Sequence, residues 1–207
     1  MRGPGTRLEL LSTGAAKTGV RFSYENSSGI AGSLIATSTN GITRNQPHHI
    51  VGTHDGSTAI LYIDGIEIQR ATGITGTRSL SNSAPEISAS LWPTAIIDEV
   101  AWYPAALSPV RVLAHYNAGI ASGYDVTIDQ DNPVSHWKMG ETTQATDRKG
   151  GLNLPVVGGS VEVVKGLVAN NGSDSGNYFE QAPSFELVPS TNPVSYTHLT
   201  LPTILRV

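Results

Sequence analysis

The sequence predicts an all-β chain of antiparallel strands with one short helix, and three observations carry that expectation. Short apolar segments alternate with turn residues through most of the first half. Two Asp-Gly pairs punctuate the clearest of these segments, and the one stretch with helical spacing opens on a Ser-Pro pair.

Taken in order, Arg7 to Leu11, Val20 to Glu25, Ser33 to Thr37 and His49 to Thr53 read as strands bounded by Gly, Ser and Asn. From Ile50 to Ile68 the pattern is sharpest, with Asp55-Gly56 and Asp64-Gly65 as turns. A tight hairpin needs positive φ at its tip, which Gly accepts and Asp tolerates, so Asp64-Gly65 is predicted to join two antiparallel strands. Ala59, Leu61 and Ile63 then share one face. Across the turn Ile66 and Ile68 alternate with Glu67 and Gln69, the pattern of a strand with one face on the core and one in water. Ala95 to Tyr103 is predicted as one further strand, broken by Pro104. Ser108 is a good N-cap and Pro109 suits the first helical position, so a helix follows, with Val110, Leu113 and Tyr116 or Asn117 on one side. Asn117-Ala118-Gly119 is expected to end it through a left-handed residue.

Composition excludes several classes. Only 14% of the 207 residues are charged and the net charge is -4, which gives no footing for the phosphate contacts that dominate nucleic-acid binding. No cysteine is present, so there is neither a disulfide framework nor a thiolate zinc site. No apolar run approaches the ~18 residues that span a bilayer. The start, Met1-Arg2-Gly3-Pro4-Gly5, lacks the pattern of a secretory signal, and the chain is read as a piece of a longer protein.

Three landmarks together resemble the laminin G-like, or pentraxin-like, kind of concanavalin A-like domain. They are Pro47-His48-His49-Ile50-Val51, then Asp55-Gly56-Ser57 with Leu61-Tyr62-Ile63-Asp64-Gly65, then Ile97-Asp98-Glu99-Val100 with Leu107-Ser108. Pro47 departs from the family's usual Trp. The opening half of such a domain is expected before these landmarks, but its pattern comes after them. Val134-Ser135-His136-Trp137-Lys138-Met139-Gly140-Glu141, Asp147-Arg148-Lys149-Gly150, Asn177-Tyr178-Phe179 and Ser184-Phe185-Glu186-Leu187 look like the start of a second copy. The resemblance therefore implies an antiparallel two-sheet jelly-roll sandwich, incomplete, with one short helix after the Ile-Asp-Glu-Val strand. Residues 1–122 correspond to the C-terminal part of one laminin G-like domain and 123–193 to the N-terminal part of a second. Residues 194–207 resemble translated sequencing-adapter read-through and are read as a non-native tail.

Several groups of residues bear on chemistry. His48, His49 and His54 are of the type that holds zinc, but strand alternation points His48 and His54 one way and His49 the other. The resemblance implies a structural His-His pair instead. Asp98 and Glu99 are adjacent, so on a strand they face opposite ways, and the Glu-x-Asp patterns of sandwich glycosidases are absent. A Gly-x-Ser-x-Gly elbow and a His-Glu-x-x-His helix are also absent, and Gly150-Gly151 and Gly158-Gly159 read as turns rather than a phosphate cradle. No catalytic residue is assigned. By resemblance, a structural Ca2+ is expected at Asp98 in the first copy and Asp147 in the second, since hard oxygen ligands suit that ion. Trp92, before Pro93 in a loop, is the candidate for stacking on a ligand, whereas Trp102 and Trp137 lie in strand patterns and are expected in the core.

The function implied is a non-catalytic binding or adhesion module that recognises carbohydrate or another extracellular ligand through loops at the sandwich edge. Its partners are a glycan or extracellular protein and neighbouring repeats of the same parent chain, with no nucleic acid and no membrane span. The resemblance implies an extracellular, cell-surface or virion-associated location. The alternative is a structural spacer repeat in a large surface or viral-fibre protein, and a glycan-active enzyme is the least favoured reading.

Overall fold

The structure, a computed structural model of the chain, describes residues 7–11, 17–25, 31–37, 39–44, 46–75, 86–88, 94–121, 123–157, 161–165, 175–180, 184–186 and 203–206. Its elements are β1 (Arg7–Leu11), β2 (Lys17–Glu25), β3 (Ala31–Ala36), β4 (Ile42–Thr43), β5 (His48–His54), β6 (Thr58–Ile63), β7 (Ile66–Thr72), β8 (Glu86–Ser88), β9 (Thr94–Asp98) and β10 (Val100–Trp102). Then come α1 (Pro109–Ile120), α2 (Tyr124–Gln130), β11 (Ser135–Trp137), β12 (Gln144–Ala145), β13 (Leu154–Val157), β14 (Val161–Lys165), β15 (Ser175–Glu180), β16 (Ser184–Glu186) and β17 (Thr203–Arg206).

The strands form a sheet in the order β1-β2-β3 with β4 also on β2, a seven-stranded sheet β14-β15-β9-β17-β5-β6-β7, a sheet β12-β13-β16-β8, and the pair β10-β11. The pairings are antiparallel throughout. Val20, Phe22, Leu34 and Ala36 of the first sheet meet Ile50, Ala59, Leu61 and Ile63 of the seven-stranded one in a single buried cluster. This is an antiparallel sandwich whose sheets do not close, and the burial of its facing side chains is the main term holding it, at ~25 cal/mol per Å² of apolar area. The layers approach closely at Gly52, where a Cβ would run into the Phe22 ring.

Residues on both sides of position 122 share this core. Trp137, Met139, Ala145 and Leu154 are buried in the same cluster as Phe22 and Leu61. The later strands also pair with earlier ones: β11 with β10, β15 with β9 and β16 with β8. The path across is short, because α2 begins at Tyr124, three residues beyond the Ala121 C-cap of α1, and Val134 N already donates to Trp102 O at 2.7 Å.

The Asp64-Gly65 hairpin forms as expected, with φ of 54° and 78°. Asp64 also ties the strand ends, its Oδ1 accepting from His49 N at 2.9 Å. Other expectations are corrected. The strand expected over Ala95 to Tyr103 is two, because Glu99 takes φ 52° and breaks it between β9 and β10. Ile66 is 65% exposed, while Ile68 packs on the core; the register skips Ile68 between the Leu61–Gln69 and Tyr62–Glu67 pairs, a bulge that resets the alternation.

Ser108 caps α1 as predicted, accepting from Arg111 N at 3.3 Å with Pro109 in the first turn. The buried face is the other one: Val112, His115 and Gly119 point inward, while Val110 and Leu113 are 75% and 44% exposed. The helix lies on the outer face of β5 and β6, where Val112 fills the space between Val51, Ile60 and Tyr62. It also runs through Gly119 to Ile120, and its cap Ala121 is right-handed. The second helix was not anticipated; Tyr124 and Ile128, one turn apart, bury against Ala101 and Tyr103. Among the described residues no helix is long and apolar enough to cross a membrane.

Candidate functional site

The break at Glu99 builds a buried polar pair with charged side chains around it. Left-handed backbone at a non-Gly residue is uncommon, and here it leaves the Glu99 side chain fully buried beside the equally buried His136 of β11. His136 Nε2 and Glu99 Oε2 are 2.5 Å apart. Burial, and then the nearby Arg148 guanidinium, push the His136 pKa down to about 4. The ring is therefore neutral at pH 7 and shares one short hydrogen bond with the Glu99 carboxyl group.

Asp125, in the first turn of α2, joins the two. Lys138 Nζ donates to Asp125 Oδ2 at 2.8 Å and stands 3.9 Å from Glu99 Oε1, and Arg148 Nη1 lies 3.2 Å from Asp125 Oδ1. Burial works against the Lys138 charge, but Asp125 and Glu99 outweigh it and raise the pKa.

Glu99, Asp125 and His136 present ligand atoms within 4.8 Å of one another, near enough to hold a metal ion. The donor set does not suit calcium, which takes oxygen ligands, because one of its three donors is an imidazole. Two cationic side chains already balance Asp125. The geometry supports an ion-pair network that locks α2 and β11 to β10.

Asp98 and Asp147, the positions expected to bind calcium, lie outside that group. Asp98 is fully buried at the end of β9. Asp147 organises its own loop: Oδ1 accepts from His136 N and Lys149 N, each at 2.9 Å, and Oδ2 from Gly150 N and Leu152 N at 3.1 and 3.0 Å. These bonds give the carboxylate a structural role that requires no ion. Trp92, the candidate for ligand stacking, lies outside the described residues. Trp137 is in the core with its indole Nε1 donating to Leu152 O at 2.8 Å, and Trp102 packs against the same cluster.

The three histidines of β5 go separate ways. His48 Nδ1 pairs with Asp64 Oδ2 at 2.8 Å while its Nε2 accepts from Thr43 N at 2.9 Å. His49 is buried among the rings of His115, Tyr116 and Tyr124. His54 lies 5.3 Å from the Tyr24 ring. Burial, reinforced by His115, lowers the His49 pKa to about 3. Local spacing alone leaves the Glu99–His136 pair and the Arg111–Asp131–His115 network across α1 and α2 unseen, since each joins residues far apart in the chain.

A laminin G-like family model, described as the concanavalin A-like lectin/glucanases superfamily, matches residues 3–113. No curated protein and no solved structure matches the chain. At the level of the superfamily this match indicates a binding module of the lectin-like kind. The match takes in β1 through the first turn of α1, including the Asp64-Gly65 hairpin and the Ile97-to-Val100 segment lodged in the sandwich, and the chain thus belongs to the concanavalin A-like lectin/glucanases superfamily in its laminin G-like form.

Proposed function

We propose that the chain is a non-catalytic recognition module for a glycan or an extracellular protein ligand, with loops at the sandwich edge, Trp92 among them, making the contacts. The family match over residues 3–113 carries this reading. Two features of the site support it. Glu99 has no solvent exposure and is bonded to His136, so it is out of reach of a polysaccharide. Asp147 is committed to backbone amides. Domains of this family are commonly extracellular, and a cell-surface or virion-associated parent protein fits the proposal.

The calcium expected at Asp98 and Asp147 belongs to the same proposal and is decided by chelation. A glycan array run with calcium and with chelator, on the wild type and Trp92→Ala, tests the whole. Binding that falls with Trp92→Ala is expected, and loss of binding on chelation would establish the ion. No binding to any glycan under either condition favours the second reading, a spacer repeat. That reading is supported by the similarity of residues 123–193 to the opening of another copy, with 1–122 as the closing part of the one before. Polysaccharide turnover abolished by a single carboxylate substitution would revive an enzymatic role.

A further inference from the structure

Four buried rings gather between the outer face of the seven-stranded sheet and the two helices, and together they carry five unpaired polar atoms. These are both ring nitrogens of His49 on β5, Nδ1 of His115 on α1, and the hydroxyls of Tyr103, just after β10, and of Tyr124 at the start of α2. Each of the four side chains is at most 1% exposed, and none of the five atoms has a hydrogen-bond partner among the described residues. The rings are neighbours: the centre of His115 lies 6.4 Å from that of His49, 5.7 Å from Tyr103 and 6.3 Å from Tyr124, and His49 lies 6.5 Å from Tyr124. Buried polar atoms in folded proteins are normally paired, with protein or with ordered water.

The two imidazoles stand too far apart to bond each other. Bonded nitrogen to nitrogen at ~2.9 Å, their ring centres would be at most roughly 5.2 Å apart, whereas a water between them allows up to roughly 7 Å. The observed 6.4 Å falls in the second range. Turning either ring over leaves its centre nearly in place, so a flip does not close the gap. His115 is already oriented, since its Nε2 and Asp131 Oδ2 are 2.6 Å apart and Arg111 Nε donates to the same carboxylate at 2.9 Å, which leaves Nδ1 as its remaining nitrogen. The chemistry of the cluster also limits what can fill it. None of the five atoms belongs to a carboxylate, and burial raises the pKa of both phenols and lowers that of both imidazoles, so all four groups are neutral. A bound ion would meet no compensating charge, and an apolar guest would leave the same atoms unpaired.

We propose that the cluster is an internal hydration site, in which an ordered water bridges His49 to His115 and takes the Tyr124 hydroxyl as its third partner. Water both donates and accepts, so it suits either tautomer of each ring, and two to four polar partners are what a buried water takes. Tyr103, beside His115, offers a fourth. The site joins β5, α1, the segment after β10 and α2. A single bound molecule therefore ties the helix pair to the sheet, and residues on the two sides of position 122 to each other.

Two measurements on the full chain test this. A crystal structure that resolves ordered solvent is expected to show a water within ~3.2 Å of a ring nitrogen of both His49 and His115. In solution, oxygen-17 relaxation dispersion counts waters held for longer than nanoseconds, and the wild type is compared with His49→Phe and Tyr124→Phe, whose thermal melts check folding. His49→Phe is expected to lose one long-lived water, and Tyr124→Phe, which removes one partner with little change of shape, to shorten its residence about tenfold. If His49→Phe does not fold, the crystal structure and Tyr124→Phe decide. No solvent peak between the two imidazoles, or the same count and residence in the variants as in the wild type, overturns the site. A metal ion at that point, identified by anomalous scattering, overturns the uncharged guest.

Discussion

His49 and His136 illustrate how burial sets protonation. Both pKa values lie below the ordinary 6.5, near 3 and near 4, with desolvation the leading cause in each. Above pH 6.5 both rings are neutral in the folded and unfolded chain, so the fold has its full stability. As pH falls below 6.5 the unfolded chain takes up protons that the folded chain refuses. Stability is therefore lost progressively until the pH passes the folded values, by up to ~1.4 kcal/mol per pH unit for each histidine. Urea midpoints are expected to drop between pH 6.5 and pH 4. His49→Phe, which keeps the ring and removes the titration, is expected to make that drop shallower; an identical pH profile in wild type and variant refutes the assignment. Asp64 and Asp147 each accept from backbone amides and so fix a turn, and the Asp-Gly signal announced only the first.

Among elements, α1 makes the sharpest contrast between pattern and packing. Val110 and Leu113 share one face and Val112, His115 and Gly119 another, so periodicity alone does not decide which faces inward. The sheet decides, because Val112 is the side chain that meets Val51, Ile60 and Tyr62. Val112→Ala is expected to cost about 2 kcal/mol in chemical denaturation, whereas Val110→Ala is expected to stay within about 0.5 kcal/mol. Equal costs would mean that the helix sits differently on the sheet. Strand β17 raises a separate issue. It lies between β5 and β9 and pairs three residues with each, yet its sequence belongs to the stretch resembling read-through. Removing residues 194–207 is expected to leave a cooperative melt while exposing two strand edges that promote association, measurable by light scattering. A chain that cannot fold without them shows β17 to be integral.

The whole molecule is organised around a core drawn from both sides of position 122. Trp137 is buried against the sandwich and its strand pairs with β10, so the early residues lack part of their cover without the later ones. Trp137→Ala is expected to cost ~3–5 kcal/mol and to lower the melting temperature of the entire unit. Residues 1–122 expressed alone are expected to give no cooperative transition, read by circular dichroism. A sharp melt of that piece, matching the intact chain, refutes the shared core.

The strand-rich class, the Asp64-Gly65 hairpin, the Ser108 cap and the family are legible in the order of the residues, because each depends on neighbours within a few positions or on motifs in fixed order. The buried face of α1, the break at Glu99 and its pairing with His136, and the closing of the Asp147 loop emerge only once the layers pack. Those features arise where residues distant in the chain meet. Burial and hydrogen-bond satisfaction between packed layers select among alternatives that local spacing leaves equivalent.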